Sequence, residues 1–218
     1  MRKKLLIVLI LQGACLTLVM GVEARPTWTF ELLGGDAYCF RMPLTITQSG
    51  DEDIELTATY KTNSFVPPIY YAYRFARWQD TRAWELEFVH LKMELTNPPS
   101  EVQHFEISHG YNLLTLNRAW TVKALILRVG GGIVISHPEN TVRERSLAWD
   151  KGIFKTGYHL SGVTAQVAVG KRWQIGRKFF LTFDGKLTGS YARVPVADGH
   201  ADVPNAAIHG LIGLGYEF

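Results

Sequence analysis

Cysteine is nearly absent from the 218-residue chain, which has only Cys15 and Cys39. Cys15 lies in a leader expected to be removed, so Cys39 remains a lone thiol and an intramolecular disulfide framework is excluded. An excess of charge is lacking too. From residue 25 onward, 20 Lys and Arg stand against 19 Asp and Glu, so the basic balance of the whole chain belongs largely to its first residues. That evenness gives no field for nucleic acid, and no nucleic-acid partner is expected. No Pro- or Ser-rich linker divides the chain, which argues for one domain. Long apolar runs are limited to a single stretch, residues 5 to 20. Beyond it no segment keeps a helical period for more than two turns.

The one apolar run follows Met1-Arg2-Lys3-Lys4 and precedes Val22-Glu23-Ala24. A basic start, an apolar stretch and small residues at a cleavage position make residues 1–24 an expected signal peptide, with the domain proper at 25–218. Gln12 stands where lipoprotein processing wants an aliphatic residue, so Cys15 is not read as a lipid anchor.

Alternation of period two fills the rest. Segments 27–34, 41–48, 54–62, 69–78, 83–95, 104–116, 121–136, 155–170, 178–192 and 206–218 read as strands bounded by polar turns. The expected fold is all-β, a closed antiparallel transmembrane barrel of ten strands. Eight is the alternative, if the first two segments form one irregular strand and a plug. Connections at 48–53, 79–82, 117–120 and 170–177 are short, and those alternating with them are mostly longer, as in an outer-membrane barrel with its short turns in the periplasm. Trp28, Trp78, Trp84, Trp120 and Trp173 fall at the short-turn end. Tyr60, Tyr70, Tyr71, Tyr158 and Tyr191 fall toward the other, and only Trp149 sits in an outer loop. Amphipathic rings favour the two membrane interfaces.

The last strand places Gly210, Ile212, Leu214, Tyr216 and Phe218 on one face and ends on an aromatic residue. This resembles the C-terminal signature that the outer-membrane assembly machinery recognises. The whole of 25–218 resembles small Gram-negative outer-membrane barrels of the OmpA, OmpX and PagL groups in architecture. That resemblance implies Sec export through the periplasm and residence in the outer membrane. It also implies contact with lipid and lipopolysaccharide, and the barrel-assembly machinery as a partner.

In 178–192, Thr182, Asp184, Lys186, Thr188 and Ser190 alternate with Leu181, Phe183, Leu187 and Tyr191. One face suits a polar bore and the other suits lipid. The same parity turns Glu55, Thr57, Thr59, Arg74, Glu85, Glu87, Glu106, Arg128 and Gln166 inward. A small barrel leaves little room beyond its own side chains, so these charges are expected to pair. The leading expectation is a structural or narrow-pore barrel with a charged, largely plugged lumen.

The alternative is enzymatic. Residues Phe105-Glu106-Ile107-Ser108-His109-Gly110-Tyr111-Asn112 put a carboxylate, a hydroxyl and an imidazole in one segment. Lipid A deacylases of the PagL type are similar in using a Ser-His-acid set on the barrel wall, which would make Ser108, His109 and Glu106 catalytic. Their His-x-Ser-Asn order is not found here. Strict alternation sets His109 on the lipid face with Phe105, Ile107 and Tyr111, where a bare imidazole is costly. The reading preferred is structural: a bulge near Gly110 turns His109 inward onto Glu106 or Glu87. A second string, Ile135-Ser136-His137-Pro138-Glu139-Asn140, closes a strand at the outer rim.

His104, His137, His159 and His200 fall toward the outer side, but their spacing matches no ligand motif, and neither a metal nor a cofactor is expected. Gly130-Gly131-Gly132 has no Lys-Ser/Thr after it and reads as strand rather than phosphate loop. In the longest loop, Arg143-Glu144-Arg145 suits contact with lipopolysaccharide phosphates, a third reading as a surface adhesion or receptor module.

Overall fold

In the computed structural model the described residues are 26–148 and 150–218; the expected signal peptide at 1–24 and Trp149 lie outside them. The alternating segments become thirteen strands: β1 (Thr27–Cys39), β2 (Met42–Gln48), β3 (Ile54–Ala58), β4 (Tyr60–Lys61), β5 (Tyr71–Gln79), β6 (Arg82–Leu95), β7 (Val102–Val122), β8 (Leu125–Ser136), β9 (Glu139–Val142), β10 (Arg145–Ser146), β11 (His159–Gln174), β12 (Phe179–Val196) and β13 (Gly199–Glu217). Eight of them pair antiparallel in a ring, β1–β5–β6–β7–β8–β11–β12–β13, and β13 returns to β1. A ring leaves no unpaired edge along its span, as lipid requires of a strand protein.

The ring is therefore built on the smaller of the two expected strand counts. The segments expected at 41–48 and 54–62 do not join it. Instead β2 and β3 pair as a hairpin, and β2 extends the outer tip of β13 through Asp202↔Thr45 to Gly199↔Gln48. The stretch expected as a loop at 193–205 is strand almost throughout, with β12 and β13 paired up to Val196↔Gly199. Asp80, Lys123 and Asp198 take positive φ in the tight turns β5–β6, β7–β8 and β12–β13.

Outward-facing residues divide the ring by height. On β12, Phe179, Leu181, Phe183, Leu187 and Tyr191 face out and are exposed, then Arg193 follows, paired with Asp202 at 2.8 Å. From Phe179 to Tyr191 is about 40 Å of strand at the usual rise, or about 28 Å of height at a 45° tilt, close to the ~25 Å apolar band of such barrels. From Phe218, just past β13, the outward series runs Tyr216, Leu214, Ile212 and Ile208, then changes to Asp202 and His200. Trp28, Trp84 and Trp173 stay exposed near the lower rim, where Trp28 stacks on Phe75 at 5.1 Å.

Inside, the order inverts. Within the band the bore is polar. Above it the interior is apolar, with Leu44, Ile46, Leu91, Met93, Ile107, Val134, Val194 and Val203 all fully buried. The molecule is a ring with an apolar outer belt, carrying a second storey built like a water-soluble β-protein. Expected outer tyrosines split accordingly: Tyr60 and Tyr70 are buried inside, whereas Tyr191 faces out.

Candidate functional site

Two groupings of side chains stand out, one inside the ring and one on its outer wall. The inner one begins with Arg74, buried on β5 across from Glu87 of β6. Its guanidinium reaches Glu31 at 3.1 Å, Glu87 at 3.2 Å and Glu85 at 3.7 Å, and also pairs with Asp184. Arg128 bridges Glu85 at 2.8 Å and Asp184 at 3.0 Å. Lys186 pairs with Glu87, and Arg172 with Glu31. Gln166 and Asn117 donate to the second Glu87 oxygen at 2.8 and 3.0 Å. Four carboxylates thus meet four cations from six strands, so the section carries no net charge.

Layers above and below close the bore further. Beneath, Arg172 lies over the rings of Trp78 and Phe180 at 4.7 and 4.5 Å. Above, the His209 ring nitrogens bond Tyr70 and Thr188, each at 2.9 Å, and the apolar storey follows.

The structure places Arg74, Glu85, Glu87, Arg128, Gln166, Asp184 and Lys186 in this network. It does not place Glu55, Thr57 or Glu106 there. Glu55 and Thr57 are exposed on the β2–β3 hairpin, which stands off the ring. Glu106 lies on the outer side of β7 in the upper storey, 4.0 Å from His104. Both misplacements have one cause: above the apolar outer belt, alternation puts apolar residues inside and polar ones out. Glu31 and Arg172 belong to the network and went unread, although the place of Glu31 between the outward Phe30 and Leu32 could have revealed the first.

The outer grouping is created by a bulge. On β7, Ile107 pairs with Met93 and Tyr111 with Leu91, so Ser108, His109 and Gly110 all face the single Lys92. Gly110 has φ +115, a region that side chains rarely adopt, and a Cβ there would fall 2.0 Å from the Asn112 side chain. On the other side of β7, β8 ends at Ser136 and β9 resumes at Glu139; Pro138, which has no N–H to pair, sits in the break. His137 N–H donates to Gly110 O at 3.0 Å across it.

The two histidine-bearing strings of the sequence thereby converge. Ser108 Oγ donates to Glu139 Oε1 at 2.6 Å, and His109 Nδ1 lies 2.7 Å from the same oxygen. His137 Nδ1 is 3.7 Å from it and has no hydrogen-bond partner among the described residues. The rings of His109 and His137 are 4.8 Å apart, and Tyr158 packs edge-on to His137 at 4.8 Å. Burial works to raise the Glu139 carboxyl, but the hydrogen bonds from Ser108 and His109 outweigh it and hold the group below the usual carboxylate range.

The bulge forms where it was expected, but the inward turn of His109 does not follow. The His109 side chain is 54 % exposed on the outer wall and touches Glu139, not Glu106 or Glu87. It is Phe105, Ile107 and Tyr111 that point inward, into the apolar storey. The site stands just above the last outward apolar residues of its strands, Leu114, Ile135 and Leu160. Beside it, His90 bonds Asn112 at 2.8 Å and stacks on Tyr71 at 4.9 Å.

Arg143 and Arg145, which the third reading offered to lipopolysaccharide phosphates, tie the outer storey together. Arg143 donates to Gln48 Oε1 at 3.1 Å and Glu52 O at 2.7 Å. Arg145 binds Asp51 and lies 3.5 Å from Asp198. At the C-terminus, Ile212, Leu214 and Phe218 face outward; Tyr216 and Phe218 meet edge-on at 5.2 Å, and Phe218 N–H donates to Trp28 O at 2.9 Å.

No family model matches the sequence, and no curated protein sequence does. Among solved structures the neighbours are small Gram-negative outer-membrane β-barrel proteins. Outer membrane protein AlkL, solved in DMPC bilayers, is 15 % identical with a TM-score of 0.47 over 88 % of this chain and 90 % of its own. OprG of Pseudomonas aeruginosa is 13 % identical, TM-score 0.43, over 90 % and 97 %. The attachment invasion locus protein Ail of Yersinia pestis is 10 % identical, TM-score 0.38, over 88 % and 98 %.

Proposed function

We propose that this protein is an integral outer-membrane barrel of structural type, non-conducting, whose working surface is its outer wall and upper storey. The observation that carries this reading is the balanced, buried network around Arg74. Ions crossing the bore would have to displace charge pairs that are shut off from water, at a cost of several kcal/mol per stripped charge. The apolar storey above adds a second barrier. Outer-membrane residence is supported by the ring closure and by an apolar outer belt of membrane height. The test is reconstitution in planar bilayers. Purified protein should insert without unitary conductance steps, and steady steps in the wild type would refute the closed reading.

The bulge favours a second reading, an acyl hydrolase acting on outer-leaflet lipid. It brings Ser108, His109 and Glu139 together just above the apolar belt. Glu139 orients His109 through Nδ1, which leaves Nε2 free as a base. The proton arrangement differs from a relay, since the Ser108 hydroxyl gives its proton to Glu139 and lies on the Nδ1 side, 3.3 Å away. A water activated by His109 Nε2 is the nucleophile this geometry allows. Mass spectrometry of lipid A incubated with the protein in micelles decides it: acyl loss abolished in His109→Ala supports hydrolysis, and an unchanged acyl pattern removes it.

A further inference from the structure

The outer-wall cluster has the composition of a metal centre. His109, His137 and Glu139 each offer one ligand atom, and all three atoms lie within 4.8 Å of one another. They come from the bulge on β7, the break after β8 and the first residue of β9, about 30 residues along the chain. No local motif therefore announces them.

We infer that His109, His137 and Glu139 form a binding site for a zinc-type divalent cation on the outer wall, just above the apolar belt. Bonds of about 2.0–2.1 Å to a tetrahedral ion put neighbouring ligand atoms about 3.3 Å apart. The separations from Glu139 Oε1, 2.7 Å to His109 Nδ1 and 3.7 Å to His137 Nδ1, straddle that value. The three ligand atoms lie within 4.8 Å of one another, so binding draws the two imidazoles together by side-chain rotation. Two imidazoles with one carboxylate select borderline ions such as Zn²⁺ over Ca²⁺ or Mg²⁺, which prefer all-oxygen shells.

The surroundings suit this use. His137 Nδ1 is otherwise unpartnered although its side chain is 14 % exposed. The Ser108 hydroxyl bonds the Glu139 carboxylate, the kind of contact that orients a ligating carboxylate. Tyr158 fixes one face of the His137 ring and donates to His109 O at 3.3 Å. When the ion binds, the proton shared by His109 Nδ1 and Glu139 leaves that position and His109 carries its proton on Nε2. Three protein ligands leave a fourth position open, on the exposed side of His109, for water or another oxygen donor.

The experiment uses the full barrel without an oligohistidine tag, stripped with chelator and placed in lipid nanodiscs. Calorimetric titration with ZnCl₂ should give one ion per chain. His109→Asn and His137→Asn should each weaken binding about 100-fold, and Ser108→Ala about 10-fold, with His200→Asn unchanged. Heat-modifiable gel mobility checks that each variant is folded. Absent heat, or wild-type affinity in both His109→Asn and His137→Asn, would overturn the site. Competition by equal Ca²⁺ or Mg²⁺ would overturn the ion class. Should either variant fail to fold, X-ray absorption on the zinc-loaded wild type decides: scattering from two imidazoles supports the assignment and its absence refutes it.

Discussion

At the scale of single residues, Arg74 holds the bore together because it alone contacts all four buried carboxylates. Arg74→Met leaves those acids facing three cations in a site closed to solvent, and should cost about 3–5 kcal/mol. Arg74→Met with Asp184→Asn restores the balance and should cost less than the two single changes added, by about 0.5–3 kcal/mol. Denaturant unfolding in a bilayer or detergent measures the cycle, and simple additivity would mean the pair is not coupled. Most of this network was legible because a charge at an alternating position between Phe, Leu and Val can only face a bore. The parity rule failed for Glu55 and Glu106. It carries no information on height, and above the apolar belt the same alternation means the opposite.

At the scale of elements, strand β7 carries the site, and its irregularity decides where His109 points. A bulge near Gly110 was foreseeable from the glycine and from the cost of an imidazole on the lipid face. Its partner was not. Glu139 reaches His109 only because β9 restarts beyond Pro138, a pairing that depends on how two strands break in register. Gly110→Ala tests the dependence. The positive φ and the clash with Asn112 make that residue strained, at about 1–3 kcal/mol. Relief comes by straightening the strand, which separates His109 from Glu139. The variant should lose stability by that amount while the charge network stays intact. Its His109 imidazole NMR signals should shift toward those of a Glu139→Gln variant. Unchanged His109 signals would mean that the glycine does not set the bulge.

At the scale of the whole molecule, the chain solves two solvation problems in one continuous sheet. In lipid the outer face must be apolar and the inside polar, whereas in water the assignment reverses, and β12 and β13 make that change partway along. All-β character, the belt and short turns near 79–82 and 170–177 could be read from the sequence, whereas 48–53 closes an outer hairpin and 193–205 is strand with a tight turn. The second storey was hidden, because its strands carry the same period as the ring and 193–205 lacks the greasy outer face that marks a spanning segment. Three substitutions separate a two-storey molecule from a uniform barrel. Leu187→Arg, on the outer face inside the belt, should cost about 2–4 kcal/mol. His200→Arg, outward on β13 above the belt, should fall within about 0.5 kcal/mol of wild type. Val203 is fully buried inside the upper storey, so Val203→Asn strands an amide there and should cost about 1–3 kcal/mol. A uniform polar bore would accept that asparagine without loss. Unfolding in bilayers that finds Val203→Asn silent, or His200→Arg as costly as Leu187→Arg, would mean that the upper strands stand in lipid around a wet interior.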